Sequence, residues 1–263
     1  MDLDEKVFIK VGNDDDFIDE ENTSIRIPVC LVLDASSSML RILDDLTGVA
    51  PARKEFRDGQ WWNIYEGDFT TYMSLMVKGV NLLYEGIRED ADAADACEIA
   101  IVSFSDNVSV VENFSPVTNK RPFQELEVGD NTNMGAGILK ALDLLENRKE
   151  NYRMKDVSYK QPWLFIFTDG DPTDIDKVNE AAERCKKLND SRKLTVYPIS
   201  LGDEVNMDVL KKFCFGDITA PLPLKKEEIT KFFRYLSASI SAFNENADND
   251  TGTNVFDFDE DFE

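Results

Sequence analysis

Four near-continuous apolar runs, parted by helical periodicity or polar loop, constrain this chain more than any other feature. They are Ile27 to Leu33 (IPVCLVL), Cys97 to Phe104 (CEIAIVSF), Trp163 to Phe167 (WLFIF) and Leu194 to Leu201 (LTVYPISL). Runs this short and this evenly apolar are central strands of a parallel sheet, covered on both faces. Between them, Met73, Met76, Val80, Leu83 and Ile87 mark a helix with a broad apolar face. Gly135 to Leu145 and a segment ending at Lys187 read as further helices, and Met207 to Phe213 as a short one. Glu227 to Phe243 reads as a long final helix packed on the sheet through Ile229, Phe232, Phe233, Leu236 and Ile240. Val108 to Val111 is expected to pair with the second run as an antiparallel edge. Such alternation predicts an α/β fold, a doubly wound, mostly parallel, Rossmann-like sheet with right-handed crossovers. In these sheets ligands bind beyond the carboxyl ends of the strands, where the connections diverge.

Charge and composition remove whole classes of function. The 263 residues carry 52 acids against 29 bases, a formal net charge of −23, and no histidine. That charge repels nucleic acid and anionic membranes. The missing histidines exclude a Ser-His-Asp triad, His-ligated zinc and a His general base. The excess is terminal. Residues 1–24 hold nine acids and two bases, and residues 245–263 hold eight acids and no base. We therefore divide the chain into an acidic arm (1–24), a domain (25–243) and an acidic, disordered tail (244–263). No stretch reaches the roughly 18 apolar residues of a membrane span. The opening MDLDEKVF lacks the basic and apolar regions of a secretory leader, and Cys30, Cys97, Cys185 and Cys214 form no CxxC pair. A cytoplasmic protein is the expectation.

Chemistry-bearing residues cluster where the strands should end. Asp34-Ala35-Ser36-Ser37-Ser38 follows the first run, and Thr168-Asp169-Gly170-Asp171 follows WLFIF. Gly129-Asp130-Asn131-Thr132-Asn133 opens a helix between them. Two carboxylates and three hydroxyls, with no imidazole or thiolate beside them, suit a hard divalent cation. Magnesium or manganese in an oxygen shell fits, and zinc does not. Taken singly, the first segment also reads as an N-capping turn and the second as a strand-exit turn.

The DxSxS run at Asp34, Ser36 and Ser38, with Thr132 and Asp169, resembles the metal-ion-dependent adhesion site (MIDAS) of von Willebrand factor A (VWA) domains. The resemblance spans about Ile27 to Phe243 and rests on PVCLVLDASSSM, NTNMGAGI and PWLFIFTDGDPTD. The end stretch PLPLKKEEITKFFRYLSASISAF is most similar to the bacterial TerY-like subgroup associated with tellurite resistance. The resemblance implies that Ser36 and Ser38 bind the cation directly, Thr132 in one state of the site, and Asp34 and Asp169 directly or through water. One coordination position is then left for a Glu or Asp carboxylate of a protein partner, and nothing is catalysed. It also implies partners such as other tellurite-cluster proteins, or a protein kinase and a PPM-type phosphatase, in a stress-response system.

Several segments depart from that pattern or stand outside it. Arg41 to Gly67 is an insertion beside the site. Trp61, Trp62 and Tyr65, with Phe69 just beyond it, form either a recognition surface or a compact loop packed on the domain. Asp171 is a further candidate, as a group supporting the metal or its partner. The stretch from Asp169 to Asp176 fails the EF-hand pattern, since Pro172 blocks the turn and no Glu closes the loop. The tail from Val255 to Glu263 alternates aromatic and acidic residues and reads either as an interaction segment or as a solubilising one. The rival function is a magnesium-dependent phosphohydrolase using Asp34 or Asp169 as nucleophile. Against it, Ser36 stands where such enzymes carry a second aspartate, and no phosphate-binding glycine loop with lysine is present.

Overall fold

The structure is a computed structural model that describes residue 18 and residues 22–57, 59–124, 126–203 and 205–245. Most of the acidic arm placed at 1–24, the tail beyond residue 245 and the side chain of Trp62 lie outside the described residues.

In chain order the elements are β1 (Ile27–Asp34), β2 (Arg53–Arg57), β3 (Gln60–Ile64), α1 (Tyr72–Arg88), α2 (Ala91–Ala96), β4 (Cys97–Phe104) and β5 (Val108–Pro116). They continue as α3 (Met134–Met154), β6 (Trp163–Thr168), α4 (Ile175–Asp190), β7 (Thr195–Leu201), α5 (Met207–Leu210), β8 (Leu222–Leu224) and α6 (Lys226–Glu245). Six strands form the main sheet in the order β5-β4-β1-β6-β7-β8. Every neighbouring pair is parallel except β4 with β5, the antiparallel edge. This is the α/β architecture that the apolar runs predict.

The period-two alternation of strand side chains explains why the runs are apolar throughout. Ile27, Val29, Leu31 and Leu33 of β1 face one core, with Phe165, Phe167 and Ile199 and with Phe232 and Phe233 of α6. Cys30 and Val32 face the opposite core, with Leu164, Ile166 and the helices α3 and α4. The aromatic residues of β6 and β7 all fall on the first face, where Phe165 stacks on Tyr197 at 4.7 Å between centroids. Cys30, Cys97 and Cys185 are buried free thiols. On the same face α1 and α6 pack closely, because Gly79 leaves room for the Phe233 ring. A Cβ there would lie 2.1 Å from that ring.

The helix α1 is bounded as its sequence demands. Thr71 accepts from the Ser74 N–H at 3.0 Å, and Ser74 Oγ accepts from the Thr71 N–H at 2.9 Å, a reciprocal cap. At the amino end of the sheet, buried Glu98 takes Arg148 at 2.7 Å, Arg26 at 3.4 Å and the Tyr152 hydroxyl. Burial of one carboxylate between two guanidiniums satisfies charges that would otherwise be costly there.

Three features depart from the sequence expectation. The insertion contains a β2–β3 hairpin, with Phe56 opposite Trp61 and Gly59 at φ +80° in its turn. Asp58-Gly59 is the turn signal that announces it. The six-residue α2 carries only alanines on its buried side and is capped by Asp90, so no apolar stripe marks it. Strand β8 is three residues long, too short for periodicity to register. Among the described residues no helix is long and apolar enough to cross a membrane.

Candidate metal centre

β1 lies at the point where the chain's later strands go to opposite sides, β4 to one and β6 to the other. The rim beyond its carboxyl end is therefore open, and Asp34 is its last residue. The chain beyond β1 remains in register. The Ala35 N–H donates to the Phe104 carbonyl at 2.8 Å, and the Ala35 carbonyl accepts the Gly129 N–H at 3.0 Å. Asp34 Oδ1 then accepts the Ser36 N–H at 2.8 Å, which turns the chain into a single 3-10 turn at Ser37–Leu40, pinned by buried Met39. Ser36 precedes the turn but makes no side-chain cap, and its hydroxyl faces Ser38.

The side chains after β1 and β6 form one chain of hydrogen bonds. Ser36 Oγ lies 2.9 Å from Ser38 Oγ, and Ser38 Oγ donates to Asp169 Oδ1 at 2.7 Å. Thr168 Oγ1 donates to Asp34 Oδ2 at 2.5 Å. Asp34, Ser36 and Asp169 are buried, while Ser38 is exposed at the mouth. Burial pushes the Asp34 carboxyl up to about 6, with a smaller upward contribution from the Asp169 charge; the bonds from Ser36 and Thr168 oppose both. A buried carboxylate beside a second carboxylate, with no basic partner among the described residues, is a place where a cation lowers the energy.

Thr132 reaches the same rim from the β5–α3 connection. It is buried, but its hydroxyl is not part of that chain of hydrogen bonds. Its loop is held by residues that sequence reasoning missed. Asp106, exposed just after β4, accepts the N–H groups of Asp130 and Asn131, both at 3.0 Å, which draws its pKa below the usual carboxylate range. Gly129 passes so close that a Cβ would fall 2.7 Å from Asp106 Oδ2. Thr173 donates its N–H to the Thr132 carbonyl at 2.9 Å. Asp174, just before α4, accepts from Gly135 and Ala136 at the start of α3, at 3.0 and 2.8 Å. The signal for Asp106 and Asp174 was their place in the loops that follow β4 and β6.

Five proposed ligand positions therefore stand on one rim, four of them (Asp34, Ser36, Ser38, Asp169) in mutual hydrogen-bond contact or one residue removed from it. Asp171 is exposed on the loop after them, with no hydrogen bond to the site. Trp61 is exposed on the hairpin. Tyr65 and Phe69 are half-buried and meet edge to face. The donor chemistry fits a small hard cation. Adjacent ligands of an octahedral ion with bonds of 2.0–2.1 Å are about 2.9 Å apart, close to the spacings of 2.9 and 2.7 Å here. No three His, Cys, Asp or Glu side chains converge among the described residues, so a cation here depends on hydroxyls as much as carboxylates.

Such a site on such a sheet defines a class: a doubly wound α/β domain with an oxygen-donor rim at its switch point. The von Willebrand factor type A domain profile matches residues 29–221. The chain belongs to that family. No curated protein matches in sequence. Among solved structures it is similar to the pilus adhesin SpaC of Lactobacillus rhamnosus GG, at TM-score 0.55 and 12% identity over 84% of this chain and 31% of that one. It is also similar to the PilB minor pilin of Streptococcus sanguinis, at 0.52 and 14% over 83% and 62%. A von Willebrand factor type A protein of Catenulispora acidiphila matches at 0.51 and 12% over 83% and 43%. This chain thus spans less than two thirds of each of these relatives, and at such identities the likeness is one of fold.

Proposed function

We propose that the chain is a protein-binding module whose metal centre, loaded with magnesium or manganese, captures a Glu or Asp carboxylate of its partner. The observation that carries this reading is the hydrogen-bonded row Ser36–Ser38–Asp169 above buried Asp34, open to solvent only at Ser38. Asp34, Ser36, Ser38, Thr132 and Asp169 would hold the ion. The ion supplies Lewis acidity and charge; the chain sets the donor positions and shields Asp34 from water. A dication balances the two carboxylates, so an anionic group can approach despite the acidic surface.

The module is not an enzyme in this reading. Asp34 is buried with both oxygens engaged, by the Ser36 N–H and the Thr168 hydroxyl, which suits a supporting carboxylate better than an attacking one. The TerY-like resemblance extends the proposal to a cytoplasmic adaptor in tellurite or related stress responses, with a kinase and a PPM-type phosphatase as candidate partners. Affinity capture from cell extract, with magnesium and with EDTA, tests the core of this reading. Partners should be retained with magnesium, released by EDTA and absent with Asp34→Asn. Retention unchanged by EDTA and by the substitution overturns it. Hydrolysis of a generic phosphate ester, lost on Asp34→Asn, would overturn the non-enzymatic part.

A further inference from the structure

A polar cavity of about 310 Å³ opens beside the metal centre, between the β4–β5 turn and the loop that leads to α3. Its floor is a group of serines. Ser103 and Ser109 face each other across β4 and β5, and Ser105 follows just beyond β4. Ser103 and Ser105 are 7% and 8% exposed, yet neither hydroxyl has a hydrogen-bond partner among the described residues. Ser105 Oγ is turned towards the opposite wall, since a Cβ at Gly129 would stand 2.8 Å from it. A buried hydroxyl without a partner is costly, and a guest that supplies one removes the cost.

The rest of the lining fixes the chemistry of that guest. Asp106 and Glu127 are exposed at the mouth, and no basic side chain lines the cavity among the described residues. A cation is favoured there. Val111 and buried Leu126 supply apolar wall for an alkyl stem. Both oxygens of Asp106 already accept N–H groups, from Asp130 and Asn131. Asp106 therefore offers no free two-oxygen face to a planar guanidinium fork. A compact ammonium, with three hydrogens pointing apart, suits hydroxyls that approach from several sides. Gly129 also ties the cavity to the metal rim, because it pairs with Ser36 in a parallel bridge. Paired strands lie about 4.8 Å apart, and in an extended peptide side chains two residues apart share a face at about 7 Å.

We propose that this cavity binds the ammonium of a lysine side chain on the protein partner, two residues from the carboxylate that the metal takes. The carboxylate rests on the function proposed above; the ammonium site does not.

Amide chemical shifts of the full-length chain, titrated in EDTA with N-acetyl-lysine amide, test the ammonium site. The blocked α-amine leaves the side chain as the only charge. Amides of residues 103–109 and 126–129 should shift saturably, and N-acetyl-norleucine amide, which lacks the ammonium, should leave them unmoved. Equal shifts with norleucine, or none with lysine, overturn the site. Tighter binding of N-acetyl-arginine amide overturns the choice of ammonium. The double variant Ser103→Ala, Ser105→Ala should bind the lysine amide about tenfold more weakly. Glu127→Gln, at an exposed position, should also weaken it, and unchanged affinity in both variants overturns the assignment. Calorimetry with the acetylated, amidated peptide Lys-Ala-Asp tests the pairing. Magnesium should tighten its binding, and norleucine in place of its lysine should weaken it in magnesium and in EDTA alike. A lysine that adds nothing in magnesium overturns the two-residue spacing. If magnesium has no effect while the lysine amide still binds, the metal-dependent function fails and the ammonium site stands.

Discussion

Ser38 Oγ donates to Asp169 Oδ1 at 2.7 Å, joining loops that are 131 residues apart in sequence. Neither loop carries a complete set of donors. The contact exists because β1 and β6 are parallel neighbours, so their carboxyl ends open on the same rim. Thr168, the last residue of β6, adds the second tie through Asp34.

Asp34→Asn should separate metal binding from folding. The amide keeps the shape and still accepts the Ser36 N–H, but removes a charge whose burial is unfavourable without a cation. Thermal unfolding of the wild type should shift upward on adding magnesium, whereas the variant should show no shift. In EDTA the variant should be at least as stable as the wild type.

Thr168→Val removes the hydroxyl that orients Asp34 while preserving the strand. Losing a group that supports a metal ligand costs about 10–100-fold in metal affinity. Magnesium titration by calorimetry should show a fall of that order, with the far-ultraviolet spectrum unchanged.

Asp106→Ala should loosen the loop that carries Thr132, and its effect should depend on pH. Hydrogen bonds from Asp130 and Asn131 hold the folded pKa of Asp106 below its ordinary value. The stabilisation is therefore present above the ordinary carboxylate range, near pH 4, and is lost as the pH falls through the folded value. Melting temperatures should differ between wild type and variant at pH 7 and converge towards pH 3.

Glu98→Ala strips the carboxylate from between Arg26 and Arg148 and leaves two buried guanidiniums facing each other. Breaking a buried pair in this way costs about 3–5 kcal/mol. Denaturant unfolding should report a loss of that size, and magnesium affinity should change little, because Glu98 sits at the opposite end of β4 from the rim.

Much of the fold was legible because burial on two faces leaves a plain mark. Residues 27–34, 97–104 and 163–168 are buried without a break, and an unbroken apolar run is what a covered parallel strand requires. Elements resting on few residues left no such mark. β8 is three residues long, and α2 relies on alanine. The hairpin did carry Asp58-Gly59, but its aromatics are as consistent with a packed loop as with an exposed arm, and only the fold shows Trp61 outside.

Residue type and order by themselves determined the four central strands and their antiparallel edge, the doubly wound class and the identity of the candidate oxygen donors, because hydrophobic period and ligand chemistry are local properties. Tertiary structure alone decided the rest. Strand neighbourhood placed Asp169 against Ser38, and burial made Asp34 a carboxylate awaiting a counter-charge. Asp106 and Asp174 act on loops distant in sequence, holding Asn131 and the start of α3. Their roles depend on where hydrogen-bond donors lie in space, a quantity set by the packing of the whole sheet.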